Sequence, residues 1–237
     1  MSPLREIRQW TSRYKEDKQI NPLRRYYLIF EGAHTELKYF EGIVNNRKIL
    51  DIHSLIELVI LDKDGDIENH SHPKRLYDLI NKKKSQLEND ENYNKNIDKF
   101  VIIFDRDSYR SSKKYLDFVK SAEKENILGV TNPCFELWLL LHRDNIIEDY
   151  INIYKQDILE NKRKSNKHTF ISKLFSDLFG MNSKSNLNFE ELKDFVNIAI
   201  INEKKLEQCT EKMKNVIGSN IGLIIEEMKQ DPRDALY

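Results

Sequence analysis

Segments rich in apolar residues alternate with amphipathic segments over the first 150 or so positions of the chain. The apolar runs occupy residues 26–30, 54–62, 99–104 and 127–131, without strict alternation of apolar and polar side chains. Continuous apolar runs of this length are typical of strands in a parallel sheet that is covered on both faces. The pattern therefore predicts four buried strands.

The segments between these runs carry the start signals of helices. Thr35, Ser111 and Asn132 stand where an N-cap residue is expected, and Pro73 and Pro133 stand where a first helical turn tolerates proline. Strands that alternate with helices in this way indicate a parallel sheet with helices on both faces. The predicted fold class is α/β, a Rossmann-like layer.

The strand pattern ends near residue 150, and amphipathic helical segments replace it. Four such segments are predicted, at residues 148–160, 168–180, 188–208 and 216–229. The predicted organisation is an N-terminal extension, an α/β domain and a helical C-terminal portion packed on it, at residues 1–24, 25–147 and 148–237 respectively.

Composition removes some function classes. The 39 basic and 39 acidic side chains cancel, so bulk charge does not attract nucleic acid, and any such binding depends on local patches. The beginning of the chain has no apolar segment of the secretion type, and no apolar run is long enough to span a membrane. We therefore expect a cytoplasmic protein without a membrane partner.

Two basic patches are candidates for phosphate contacts. The candidate nucleic-acid-binding residues are Arg106, Arg110 and Lys113 in the first patch and Lys164, Lys167 and His168 in the second. A solvated helix face or loop is the alternative interpretation of either patch.

Acidic residues follow the predicted strands at the edge where α/β sheets place their sites. Residues 100–107 read FVIIFDRD, so Asp105 and Asp107 follow a buried strand, and Glu31 follows the first strand. Side chains two apart on an extended chain point the same way, and Glu31 joins them if the two strands are neighbours. Such a group favours Mg²⁺ or Mn²⁺, although acids at strand ends also cap helices and form turns.

Glu136 has two open interpretations. It is predicted in the first turn of a helix, where the helix dipole and reciprocal capping with Asn132 would stabilise it, and a catalytic role is the alternative. His142, six positions further on, is interpreted as a packed or capping histidine rather than a metal ligand.

Three segments carry a resemblance to a known family: YLIFEGAHTELKYF, VIIFDRD and TNPCFELWLLLH. They resemble the RloB-like proteins, a group assigned to the Toprim domains of topoisomerases, primases and OLD-type nucleases. The resemblance is close over residues 24–145 and looser beyond. It implies a Toprim fold, with Glu31 as the strand-one glutamate, Asp105 and Asp107 as the metal-binding pair, and Glu36 as a second acid.

The resemblance also implies an activity, which is phosphodiester cleavage of DNA or RNA with one or two Mg²⁺ or Mn²⁺ ions. Glu31 would bind metal or act as general acid and base, and Glu36 or Glu136 would complete a second metal site. It further implies a role in bacterial anti-phage defence by abortive infection, beside a separate ATPase.

Two other functions stay open at this point. One is a non-catalytic Toprim-like binding or regulatory module that partners a defence ATPase. The other is a strand-processing enzyme of the primase or topoisomerase kind, which the short chain disfavours. The sequence leaves the oligomeric state open, a homo-oligomer included.

Overall fold

A five-stranded sheet forms the centre of the protein in the computed structural model, which describes residues 22–32, 34–61, 72–166 and 168–231. The N-terminal extension up to residue 21, the acidic loop 62–71 and Lys167 lie outside the described residues. The strands and helices in chain order are β1 (Arg24–Phe30), α1 (Thr35–Asn45), β2 (Ile56–Ile60), α2 (Pro73–Leu87), β3 (Lys99–Asp105), α3 (Ser112–Ala122), β4 (Ile127–Asn132), α4 (Glu136–Leu140), α5 (Lys155–Glu160), α6 (Phe170–Phe179), α7 (Val196–Glu203), β5 (Gly218–Ser219) and α8 (Ile221–Gln230).

The strand order is β2-β1-β3-β4-β5, with β1 to β4 parallel and β5 antiparallel to β4. The predicted α/β class with a largely parallel sheet is confirmed. The chain leaves β1 on one side to form β2, and then crosses to the other side of β1 to form β3. The connections therefore diverge between the carboxyl ends of β1 and β3, which is where α/β sheets place ligands.

The two faces of the sheet have different partners. On β1, Tyr26, Leu28 and Phe30 pack with α1 and the C-terminal helices, whereas Tyr27 and Ile29 pack with α2 and α3. Both faces are covered, so the strands need apolar residues at successive positions, and this is why their sequences do not alternate. The C-terminal portion thus shares one core with the sheet.

The start of α4 differs from the prediction. Asn132 is the last residue of β4, it precedes Pro133 through a cis peptide bond, and α4 begins only at Glu136. The Nδ2 group of Asn132 donates to the carbonyl oxygens of Met213 and Val216, at 2.7 and 2.6 Å. The side chain therefore ties β4 to the C-terminal portion, and the prediction that Asn132 caps a helix is wrong.

The other helix starts follow the sequence more closely. Pro73 opens α2, and Ser111 caps α3 by accepting a hydrogen bond from the backbone N–H of Lys114. Thr35 is the first residue of α1 and not its cap, because its hydroxyl donates to the carbonyl oxygen of Ser183 in the C-terminal portion.

His142 is a packed histidine, as the sequence indicated. It is buried, and its Nδ1 lies 3.1 and 3.2 Å from the carbonyl oxygens of Trp138 and Leu139. Carbonyls only accept, so Nδ1 carries the proton and Nε2 accepts from the Tyr39 hydroxyl at 3.0 Å. Burial lowers the pKa of His142 to about 4, so the ring is neutral and joins α1 to α4.

The C-terminal portion contributes a strand that the sequence did not predict. β5 is two residues long and pairs with the end of β4. Its position depends on Glu203, which is 0% exposed at the end of α7. One oxygen of Glu203 accepts from the Ser219 hydroxyl and the Gly222 N–H, and the other from the Leu223 N–H and the Gln208 amide.

The length and polarity of the helices determine whether any of them could cross a membrane. Among the residues that the structure describes, every helix is too short or too polar to cross a bilayer.

Substitution of Glu203 by glutamine tests the connection between α7, β5 and α8. Both carboxylate oxygens accept two hydrogen bonds, so the glutamine NH₂ group would face a donor. We expect Glu203→Gln to lower the free energy of unfolding by about 2 kcal/mol in urea denaturation.

The matched control is Glu226→Gln, which removes a surface ion pair with Lys204. We expect this variant to lower the free energy of unfolding by less than about 1 kcal/mol, because surface ion pairs contribute little to stability. Equal losses for the two variants would contradict the role assigned to Glu203.

Candidate carboxylate site

The ends of β1 and β3 meet through Glu31. The backbone N–H of Glu31 continues the sheet by donating to the carbonyl oxygen of Ile103 at 2.8 Å. One oxygen of its carboxylate accepts from the backbone N–H of Asp105 at 3.0 Å, and the other accepts from the Ser108 hydroxyl. Glu31 thus holds the turn that follows β3, at the point where the chain connections diverge.

Asp105 and Asp107 reach the same place by a different geometry from the predicted one. Asp105 ends β3 opposite Thr131, whose hydroxyl donates to it at 2.8 Å. Asp107 lies in a 3₁₀ turn, Arg106–Ser108, and its backbone N–H donates to the carbonyl oxygen of Pro133. The two carboxylates are brought together by this turn and not by an extended chain, so the alternation argument was wrong.

The Glu-Gly-x-x-Thr-Glu segment forms a tight contact at the start of α1. The Gly32 N–H donates to an oxygen of Glu36 at 3.2 Å, and a Cβ atom at Gly32 would lie 2.0 Å from the other oxygen. Glycine is therefore required at this position for Glu36, which is 5% exposed, to pack there.

Glu136 is the first residue of α4, and it is buried. Its carboxylate accepts from the Ser183 hydroxyl at 2.8 Å, and Ser183 belongs to the loop between α6 and the turn Phe189–Glu191. Reciprocal capping with Asn132 is therefore wrong. The C-terminal portion orients Glu136 instead.

Four of these five acids line one cavity of about 390 Å³. The sheet side contributes Glu36, Asp105, Asp107, Cys134 and Glu136, whereas Glu31 is not among the lining residues. The C-terminal portion forms the opposite wall, with Asn161, Arg163, His168, Thr169, Ser172 and Lys184. The cavity therefore has an acidic wall and a wall that bears cationic side chains.

Burial and mutual repulsion raise the pKa values of the carboxylates. Burial is the largest cause for Asp105, whose pKa lies well above its ordinary value, and Glu36 and Asp107 add to it. Burial raises the pKa of Glu31 to about 7, although the hydrogen bonds from Ser108 and Asp105 oppose this. The pKa of Asp107 is also raised, by desolvation and then by Glu136. Protons or a cation would stabilise this arrangement.

Comparison with known proteins assigns a family. A sequence model of the family described as RloB-like protein matches residues 26–228. The chain belongs to the RloB-like family. No match was found among curated proteins or among solved structures. The matched segment runs from β1 into α8, so it includes both walls of the cavity.

The basic residues predicted to bind nucleic acid have different positions in this RloB-like protein. Arg106 is buried, and its guanidinium donates to the carbonyl oxygens of Lys214 and Tyr109 and to the Ser112 hydroxyl. The Cζ atom of the guanidinium also lies 4.8 Å from the centre of the Tyr115 ring. Arg106 therefore supports the turn after β3, and its prediction as a phosphate contact is corrected.

The remaining basic candidates are divided between the cavity and the surface. His168 lines the cavity. Arg110 and Lys113 are exposed and are not among its lining residues. Lys164 lies over the Phe170 ring, outside the cavity, and Lys167 is outside the described residues.

Sequence reasoning missed two residues of this RloB-like site, namely Lys184, which lines the cavity, and Ser183, whose hydroxyl donates to Glu136. Ser183 and Lys184 lie between the predicted helical segments 168–180 and 188–208, in a polar stretch without helical periodicity. The signal that was available is the pair of apolar residues Met181 and Leu187, which are buried in the core and hold both ends of that loop.

The donor set of the cavity suits a hard divalent cation, since carboxylate oxygens are the ligands that Mg²⁺ and Mn²⁺ prefer. In the described part of the chain, however, no three His, Cys, Asp or Glu side chains are arranged so that they could hold a metal ion. The residues therefore fit the metal by chemistry, and side-chain rotations would have to bring the oxygens together.

The raised pKa of Glu31 predicts a pH dependence of stability in metal-free protein. Its folded pKa of about 7 exceeds the unfolded value of 4.5, so folding takes up a proton between these values. Stability from this group therefore falls as the pH rises through 7. In EDTA near pH 8, we expect Glu31→Gln to raise the free energy of unfolding by about 1 to 3 kcal/mol.

This increase in the free energy of unfolding should become smaller towards pH 5, as measured by urea denaturation between pH 5 and pH 8. Glu41→Gln, at an exposed site on α1, is the matched control, with an expected change below about 0.5 kcal/mol at either pH. A Glu31→Gln variant that is less stable than the parent at pH 8 would contradict the conclusion that the ionised Glu31 carboxylate destabilises the fold.

Proposed function

We propose that this protein is a divalent-metal-dependent nuclease that cleaves phosphodiester bonds of DNA or RNA. The supporting observation is the cavity itself, in which Asp105, Asp107 and Glu136 face a wall that carries Arg163 and Lys184. A phosphodiester needs both sets of charges, because cations hold its oxygens and carboxylates hold the metal that activates it. The Toprim relationship, with Glu31 as the strand-one glutamate, is part of this proposal.

Asp105 and Asp107 would hold the metal, and Glu36 or Glu136 would complete a first or second site. When bound, Mg²⁺ or Mn²⁺ would polarise the scissile phosphate and lower the pKa of a water molecule. Thr131 and Ser183 orient the carboxylates of Asp105 and Glu136 through their hydroxyl groups.

Glu31 has a different part in the proposal. Both of its oxygens accept hydrogen bonds from the turn that carries Asp107, so it fixes the distance between the two strand ends. Arg163 and Lys184 would contact phosphate oxygens on the opposite wall.

The biological setting is a further part of this proposal, and the RloB-like resemblance supports it. We propose a role in bacterial anti-phage defence through abortive infection, in the cytoplasm, with a separate ATPase as partner. The sequence has no Walker motif, so ATP hydrolysis would have to come from that second protein.

A binding or regulatory module is the second candidate function. It is favoured by the lack, among the described residues, of a group of three acids that is already arranged for a metal. Such a module would bind a cation or a phosphorylated ligand in the cavity without cleaving it.

Metal binding is tested first by thermal unfolding with increasing Mg²⁺ or Mn²⁺. We expect the melting temperature to rise by several degrees at saturating metal, because a cation relieves repulsion only in the folded state. Asp105→Asn should remove this rise, and Asp117→Asn, at an exposed site on α3, should keep it. A rise that is equal in all three proteins would place the metal elsewhere.

Cleavage is tested with plasmid, single-stranded DNA and a tRNA pool, with and without a neighbouring ATPase. We expect metal-dependent cleavage that Asp105→Asn and Asp107→Asn each lower by at least about a hundredfold, since each removes a charge that holds the metal. Asp117→Asn should retain full activity.

Circular dichroism would show whether the variants fold. A folded protein that binds Mn²⁺ but cuts no substrate would reject the nuclease and support the binding module.

A further inference from the structure

A second concave surface lies beside the carboxylate cavity, on the C-terminal portion. It is a groove of about 680 Å³, and its lining includes Tyr150, Tyr154 and Phe170. The ring centres of Tyr150 and Tyr154 are 6.5 Å apart with planes at 29°, and those of Tyr154 and Phe170 are 5.7 Å apart. Tyr154 is 39% exposed, so its ring is available to a ligand. We call these three residues the aromatic groove.

Lysine side chains flank the aromatic groove. Lys164 places its ammonium 5.1 Å from the centre of the Phe170 ring, and Lys173 is also a lining residue. Lys164 lies 3.9 Å from Asp157, and Lys173 pairs with Asp177 at 2.8 Å. Both pairs are exposed and therefore weak, so a phosphate could replace the carboxylates as partner.

The aromatic groove and the carboxylate cavity share a lining residue. His168 lines both, and its backbone carbonyl accepts from the N–H groups of Lys164 and Ser165. The Nδ1 atom of His168 is buried and has no hydrogen-bond partner among the described residues. A ligand that extends from one concavity into the other would pass the residue His168.

We propose that the aromatic groove binds an unpaired nucleobase, so that the substrate class is single-stranded nucleic acid, with a neighbouring phosphate in the carboxylate cavity. This inference rests on the proposed function. Aromatic side chains stack on the faces of bases, whereas a duplex offers only base edges and phosphates because its bases are already stacked. Lysines beside the rings suit the backbone that joins successive bases.

The test is fluorescence anisotropy with the full chain in EDTA, where metal-dependent cleavage is absent. The probes are labelled oligothymidylate and oligouridylate of about 12 nucleotides and a duplex of the same length. We expect either single strand to bind at least about tenfold more tightly than the duplex. The two single-stranded probes distinguish DNA from RNA as the source of the base.

Tyr154→Ala should weaken single-strand binding by about tenfold, because it removes the exposed stacking surface. Tyr154→Phe retains the ring and should stay within about twofold of the parent protein. Phe195→Ala is the matched control, because Phe195 is 42% exposed and is not among the groove residues. Unfolding midpoints of all variants would verify that each is folded.

Equal affinity of Tyr154→Ala and the parent protein for both single strands, or tighter binding of the duplex, would overturn the inference. Metal-dependent cleavage accompanied by either result would leave the nuclease proposal standing. Conversely, loss of single-strand binding in Tyr154→Ala, in a protein that cuts nothing, would support the aromatic groove and reject the nuclease.

Discussion

Burial of carboxylates at the ends of β1, β3 and β4, together with the repulsion between them, is the constraint on which the rest of the structure depends. Neutral donors, such as the Thr131 and Ser183 hydroxyls and the Asp105 N–H, hold these acids in place without neutralising them. Hydrogen bonds of this kind orient a charge but only partly replace the water that burial removes. The acids at this edge of the sheet therefore favour their protonated forms or a bound cation, and keeping them ionised lowers the stability of the fold.

Sequence patterns were sufficient for the four parallel strands of the sheet but not for β5 or for the local geometry of the acids. Buried parallel strands have a strong signature, because both faces need apolar residues. The approach of Glu31 to Asp105 could be predicted conditionally, from strand ends that meet at one edge. The turn that carries Asp107 and the late start of α4 could not, since both depend on contacts with residues 213–216, which are remote in the chain.

The roles of basic residues were the least predictable part. Arg106 lies between two acids in the sequence, yet its guanidinium is used by backbone carbonyls in the interior. Lys184 belongs to a loop without helical periodicity, and the packing of Met181 and Leu187 together with the hydrogen bonds of Ser183 brings it to the cavity. A lysine or arginine side chain is long and flexible. The position of the residue in the sequence therefore restricts where its charge lies less than it does for a short carboxylate side chain on a strand.

The division of the cavity between two parts of the chain has a consequence for biosynthesis. Its acids are supplied by residues up to Glu136, whereas Arg163 and Lys184 are added later, as the polypeptide leaves the ribosome. A nascent chain therefore contains all of the acids before the cationic residues have been synthesised. The cations join the acids only when the C-terminal portion has docked, so a truncated translation product would carry the acids without them.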